Sequence, residues 1–257
     1  MEPLRVTLVQ TSLHWEDASA NRKALEAKLL PLAGTTDLVV LPEMFSSGFS
    51  MKSAALAEDM DGPSMQWMQG MARQLNAVIT GSLIIRERGA YFNRLIWMRP
   101  DGSYAQYDKR HLFTLAGEHH HYIPGTQRLL VALKGWTICP LICYDLRFPV
   151  WSRNSGAYDL LIYVANWPKP RRNAWQTLLT ARAIENQSYT IGVNRVGEDG
   201  NGHEYTGDSM LVNFAGELLY QVSHGEQCAT FELDPVIQES FRAKFPFLRD
   251  GDEFFVK

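Results

Sequence analysis

Short apolar runs alternate with longer amphipathic stretches along this chain. The runs rich in β-branched and aliphatic residues read as strands. They are Arg5–Gln10, Asp37–Leu41, Ala77–Ile85, Leu95–Met98, Trp136–Ile142, Leu160–Val164, Tyr189–Val193, Met210–Val212 and Cys228–Phe231. The amphipathic stretches read as helices. Asp17 or Ser19 can cap one that runs to Leu30, where Pro31 ends it. Ser64 opens Met65–Leu75, Asn173 opens Ala174–Asn186, and Pro235 opens a last helix to about Phe245. Turn signals at Arg99-Pro100-Asp101-Gly102 and at Glu198-Asp199-Gly200-Asn201-Gly202 predict hairpins. Strands alternating with helices predict an α/β fold with helices packed on sheet faces. No repeat or linker-like stretch interrupts residues 1–257, so the chain reads as one domain.

Composition narrows the classes. Hydrophobic residues make up 46% and charged residues 21%, which fits a packed core rather than a disordered chain. The formal net charge is -3 and no long Lys/Arg block occurs, which argues against nucleic acid or an anionic membrane as partner. No apolar run has the length of a membrane span, and the start MEPLRVTLVQ lacks the pattern of a signal peptide. Three cysteines, Cys139, Cys143 and Cys228, do not make a disulfide framework and predict a reducing, cytoplasmic setting.

Reactive residues recur at strand ends. Glu43 follows DLVVLP, Cys143 follows WTICPLI and Asn166 follows LLIYVA. Sites in open α/β sheets form outside the carboxyl ends of strands. Cys143 has two readings: a small core residue, or a nucleophile presented where a strand turns. Its chemistry would need a proton acceptor and donors for an oxyanion. Glu43 in LPEMFSSGF, Lys109 in YDKRHLF and Glu118 in LAGEHHHYIPG could supply them. Each also has an ordinary reading as a solvated loop charge. Cys139 lies about 13 Å from Cys143 on the same strand face, too far for a disulfide, and reads as core. Met65, Met68 and Met71 recur at helical spacing and read as packing.

His119-His120-His121, beside Glu118 and His111, raises a metal site. Successive side chains on a strand point to opposite faces, so three consecutive imidazoles cannot share one ion. No further ligand stands at a familiar spacing, so no metal is expected.

LPEMFSSGF, YDKRHLF and ICYDLRFP resemble the three motifs of the nitrilase superfamily of carbon–nitrogen hydrolases. NWPKPRRNAWQTLLTARAIENQSYTIGVNRVG and GDSMLVNFAGELL resemble its later elements, so the likeness runs from about Arg5 to about Phe231. The resemblance implies a four-layer α-β-β-α sandwich and a catalytic Glu43, Lys109 and Cys143, with Glu118 as a second glutamate. It assigns the Tyr144 backbone N–H to the oxyanion, and Asp145 and Arg147 read as a buried pair that fixes the turn. It implies no cofactor and a homodimer joined through Pro149–Asn154 and Ala174–Asn186. Within the superfamily the chain looks most like the ω-amidases, which hydrolyse 2-oxoglutaramate and 2-oxosuccinamate. An amidase for a larger amide such as deaminated glutathione is the alternative; a non-catalytic metal-binding scaffold on His119–His121 is the alternative of another class. Phe45, Phe113, Tyr144 and Trp167 are the expected pocket walls. Arg110 and His111, with the His119–His121 run, are the expected cationic recess for the substrate carboxylate.

Overall fold

The computed structural model describes residues 1–254 and 256. Thirteen strands form among them: β1 Leu4–Gln10, β2 Leu38–Val40, β3 Val78–Glu87, β4 Ala90–Met98, β5 Tyr104–Asp108, β6 Val131–Leu133, β7 Trp136–Ile142, β8 Leu160–Ala165, β9 Tyr189–Asn194, β10 Val196–Glu198, β11 Glu204–Val212, β12 Leu218–Ser223 and β13 Gln227–Leu233. The helices are α1 Ala18–Leu29, α2 Ser53–Leu56, α3 Pro63–Leu75, α4 Pro149–Ser152, α5 Arg172–Asn186 and α6 Pro235–Lys244.

Two mixed sheets face each other. The first runs β13-β1-β2-β3-β4-β5 and the second β10-β11-β9-β8-β7-β6, with β12 paired to β11. Residue alternation separates the layers. Val6, Leu8, Leu95 and Trp97 of the first sheet pack inward with Trp136 and Ile138 of the second. Val9, Ile96 and Met98 point the other way, under Leu25 and Leu29 of α1 and Met65, Met68 and Met71 of α3. Helix α5 covers the far face of the second sheet through Trp175 and Leu179. Gly192 on β9 makes that approach possible, since a Cβ there would stand 2.4 Å from a Leu179 methyl and 2.6 Å from the Trp175 ring. The result is the four-layer α-β-β-α sandwich that the motifs imply.

Helix starts follow local chemistry, with two differences from expectation. Asp17 caps α1 by accepting from the Ala20 N–H at 2.9 Å, and Asp234 caps α6 by accepting from the Val236 N–H at 2.8 Å. Ser64 does not cap α3; the helix begins at Pro63, and Ser64 bonds Glu58 through its N–H at 2.6 Å and its hydroxyl at 2.7 Å. Helix α5 starts at Arg172, ahead of Asn173.

Parallel pairing carries the reactive positions to one edge. Ile142 is in register with Val164, and Ala165 with Asn194, so Cys143 and Asn166 emerge side by side. In the facing sheet Val40 is in register with Thr80, and β4 lies antiparallel to β3 with Asn93 opposite Ile84. Glu43 leaves β2 at the same edge, and Lys109 leaves β5 with its N–H bonded to the Asn93 carbonyl at 3.0 Å.

Candidate active site

Cys143 is the first residue after β7 and opens a short 3-10 turn, Cys143–Arg147. Its φ is +44°, in the left-handed region that costs a non-glycine residue about 1–3 kcal/mol. Asp145 holds the turn in place. Its carboxylate, fully buried, accepts from the Ile142 N–H at 3.1 Å and the Tyr107 hydroxyl at 2.7 Å. It also accepts from the His111 N–H at 3.0 Å and lies 2.8 Å from His111 Nδ1. Tyr144 sits in the first turn of this 3-10 segment, so its N–H has no acceptor within the turn.

Behind the thiol lies a buried charge cluster. Lys109 Nζ stands 2.8 Å from Glu43 Oε1 and 3.0 and 2.9 Å from the two Glu118 oxygens. The three side chains are at most 1% exposed. Asn93 Nδ2 donates to both glutamates, at 2.8 Å to Glu43 and 3.2 Å to Glu118. The Asn166 N–H donates to Glu43 Oε2 at 2.9 Å, while the Asn166 amide donates to the Glu43 carbonyl at 2.6 Å. The Phe113 N–H donates to Glu118. Every carboxylate oxygen here has a donor, which is how two buried anions are tolerated around one cation.

The electrostatics bear on the chemistry. Burial alone would lower the Lys109 value, but the Glu118 and Glu43 charges outweigh it and raise it above the ordinary lysine range. Lys109 is therefore a permanent cation. Burial pushes the Cys143 thiol well above its usual value, and Glu43 adds to this by charge and by hydrogen bonding, against the opposing pull of Lys109. Glu118 is also raised, chiefly by burial, with Lys109 opposing and Glu43 adding to it. Burial and the Glu43 charge thus favour the protonated thiol.

Cys143 and Lys109 open onto a cavity of about 310 Å³, whose walls include Phe49, Phe113, Tyr144, Trp167 and Asn166. Two guanidinium groups line it. Arg147 lies 5.1 Å above the Trp167 ring and Arg171 lies 5.0 Å above Phe113. Neither makes an ion pair among the described residues.

The structure brings Glu43, Lys109, Cys143, Glu118, Tyr144, Phe113 and Trp167 together. It does not bring Phe45, Arg110 or His111 to the cavity. Phe45 is fully buried in the helix-facing core of the first sheet, against Trp67, in space that Gly81 leaves open. Arg110 lies over Trp151 and donates to the Gly125 carbonyl at 3.1 Å. His111 turns back to Asp145 and stacks on Phe148. Arg147 is exposed on the cavity side, so it is not the buried partner of Asp145 that the sequence suggested. His119, His120 and His121 are exposed, and His119 and His120 sit on a 3-10 turn rather than a strand. Among the described residues no three His, Cys, Asp or Glu side chains are grouped to hold a metal ion. Cys139 is fully buried in the core, as its spacing suggested. Asn93 and Arg171 are the participants that sequence reasoning missed, and Arg147 is one that it set on the wrong side of the turn. A polar Asn inside the apolar strand β4 was the one available signal for the first.

The carbon–nitrogen hydrolase family model matches residues 5–242. The ω-amidase YafV of Escherichia coli K12 is 48% identical over 257 residues, covering 99% of each chain. The 2-oxoglutaramate amidase of Bacillus subtilis is 30% identical over 251 residues, 95% of this chain and 96% of its own. A solved CN-hydrolase superfamily protein of Xanthomonas campestris, with an arsenic adduct in its active site, superposes with a TM-score of 0.98 at 48% identity, covering 100% of both chains.

Proposed function

The chain belongs to the carbon–nitrogen hydrolase family, and from that premise we propose that it is an ω-amidase. It hydrolyses short amides that carry a distant carboxylate, 2-oxoglutaramate and 2-oxosuccinamate among them, to the 2-oxo acid and ammonia. The observation that carries this reading is the meeting of a thiol, a buried Glu43–Lys109 pair and two guanidinium groups on one small cavity. Its volume of about 310 Å³ is at the low end for ligand pockets and suits a short substrate better than deaminated glutathione. The relatives named as ω-amidase and 2-oxoglutaramate amidase support the choice.

The substrate carboxylate meets Arg147 and Arg171, and the amide lies against Cys143. Because the thiol is protonated at rest, sulfur attacks the carbonyl carbon as Glu43 takes the thiol proton. The oxyanion is held by Lys109 Nζ and the Tyr144 N–H. Each such donor is worth on the order of 100–1000-fold in rate. Glu43 passes its proton to the leaving nitrogen, ammonia departs and a thioester remains. Water enters, Glu43 takes its proton, and the hydroxyl adds to the thioester carbon. Collapse releases the acid, and Glu43 returns the proton to sulfur. Glu118 and Asn93 keep Lys109 and Glu43 in register throughout.

We further propose that residues 1–257 form one hydrolase domain and that the enzyme is a cytoplasmic homodimer. Three free cysteines suit a reducing compartment. Val150 on α4, Ile184 on α5 and Phe247 are 55%, 52% and 61% exposed. Their segments are tied together by Arg153 donating to the Glu185 carbonyl and Gln187 donating to the Phe245 carbonyl at 2.8 Å. That apolar face suits a second copy.

The test is ammonia release from 2-oxoglutaramate, glutamine, deaminated glutathione and a simple nitrile, compared by kcat/KM. The expected order puts 2-oxoglutaramate first. A lead for deaminated glutathione would reassign the substrate, and a lead for the nitrile would remove the amidase assignment.

A further inference from the structure

We infer that His111 is a positioning residue: through the Asp145 carboxylate it fixes the separation between Lys109 and Cys143. The inference rests on the proposed roles of those two residues and adds one that the motifs do not assign.

Asp145 lies two residues beyond Cys143, and both of its oxygens are engaged. Oδ2 accepts from the Ile142 N–H at 3.1 Å, directly before the thiol, and from the Tyr107 hydroxyl at 2.7 Å. Oδ1 accepts from the His111 N–H at 3.0 Å and meets Nδ1 at 2.8 Å. A carboxylate only accepts, so Nδ1 carries the proton. Tyr107 and His111 stand two residues to either side of Lys109. One carboxylate therefore ties both flanks of the Lys109 segment to the root of the nucleophile turn. Tyr107 adds to the joint, since its oxygen accepts from the Trp151 indole at 2.9 Å and the Arg110 N–H at 3.1 Å.

The joint matters because the far end of Lys109 is also fixed, by Glu43 and Glu118. A slip of the 107–111 segment has no flexible stem in which to dissipate, so it displaces Nζ relative to sulfur. A misplacement of about 1 Å can cost about 100-fold in rate. His111 does this without lining the Cys143 cavity.

The ring has two separable contacts. Its face stacks on Phe148, with centroids 3.7 Å apart and 6° between planes, while Nδ1 alone serves Asp145. Three substitutions divide them. His111→Asn places an amide N–H near the position of Nδ1 and removes the ring. His111→Gln also removes the ring but carries its donor out toward the position of Nε2. His111→Phe keeps the stack and removes the donor.

The experiment measures kcat and KM for 2-oxoglutaramate, with thermal unfolding, in these variants and in Cys143→Ala. His111→Asn should hold kcat within about threefold, while His111→Gln and His111→Phe lose about 10- to 100-fold, as expected for one charge-assisted hydrogen bond. KM should move by no more than about twofold, because His111 does not touch the substrate cavity. A ring that serves packing alone would reverse the order: His111→Phe would keep full kcat, and the Asn and Gln variants would match. If His111→Phe does not fold, the Asn and Gln pair still decides, since both lose the same stack. Turnover lost in Cys143→Ala but equal in Asn and Gln variants would overturn the clamp alone. Turnover surviving Cys143→Ala would overturn the underlying mechanism and the clamp with it.

Discussion

Lys109 and Glu43 form an ion pair shut off from solvent: Nζ lies 2.8 Å from Oε1, with the side chains 1% and 0% exposed. Glu118 shares the same ammonium. Breaking a buried pair leaves an uncompensated charge, at about 3–5 kcal/mol. Lys109→Met should therefore abolish turnover and lower stability at neutral pH. Glu118, already raised by burial against the pull of Lys109, would then bind its proton still more tightly folded than unfolded, a further raised folded pKa. Raised carboxyl values make stability rise as pH falls. Urea unfolding should show a smaller deficit at pH 5 than at pH 8. A deficit independent of pH would contradict the shared-cation account.

The resting thiol should be a poor nucleophile toward reagents that do not use the site. Burial, then Glu43, pushes Cys143 well above its ordinary value of 9.0. Alkylation by N-ethylmaleimide should stay slow and keep climbing with pH beyond that value. Cys139, buried and pushed up to about 12, should remain unmodified until the protein unfolds. Mass spectrometry of digests resolves the two. A Cys143 rate that levels off below pH 9 would show a preformed thiolate instead.

Arg147→Gln and Arg171→Gln should weaken recognition of the substrate carboxylate. For 2-oxoglutaramate each should raise KM by ~10–150-fold, the equivalent of about 1.5–3 kcal/mol for a hydrogen bond to a charged group. An uncharged short amide should be turned over as by the parent enzyme. Equal losses for both substrates would mean that the guanidinium groups support the wall through Trp167 and Phe113 rather than bind the anion.

Strands buried on both faces were legible in the sequence, and of the edge strands only β13 was, in part, through Cys228–Phe231. Trp136–Ile142 matches β7 at both ends because its apolar run is bounded by a glycine and by Cys143. Strands β5 and β12 carry no such signal; Tyr104–Asp108 and Leu218–Ser223 lie at sheet margins, largely outside the core, and read as polar segments. Glu43 and Cys143 could be placed because each directly or nearly follows a legible strand, whereas Lys109 follows β5 and was placed through the YDKRHLF motif. Arg110 was misplaced by adjacency: next to Lys109 at the end of an extended segment, its side chain leaves on the opposite side. Arg147 was misplaced for the converse reason. The turn after Cys143 sends Asp145 inward and Arg147 to the cavity, a division that only the turn geometry sets.

The proposed assembly through the α4–α5 face predicts a specific failure. Val150→Glu combined with Ile184→Glu should yield a monomer by light scattering at micromolar concentration, because two carboxylates would have to be desolvated in the interface. Both side chains are more than half exposed in the single chain, so folding should survive. A variant that remains dimeric would place the interface elsewhere.

Rapid quenching of the enzyme during turnover of 2-oxoglutaramate, followed by mass spectrometry of the Cys143 peptide, tests the mechanism most directly. The account predicts an acyl adduct on Cys143, formed with a burst of ammonia and absent from Cys143→Ala, which should be inactive yet folded. Full turnover by Cys143→Ala, or steady turnover with no acyl-enzyme and no burst under conditions where hydrolysis limits the rate, would contradict it.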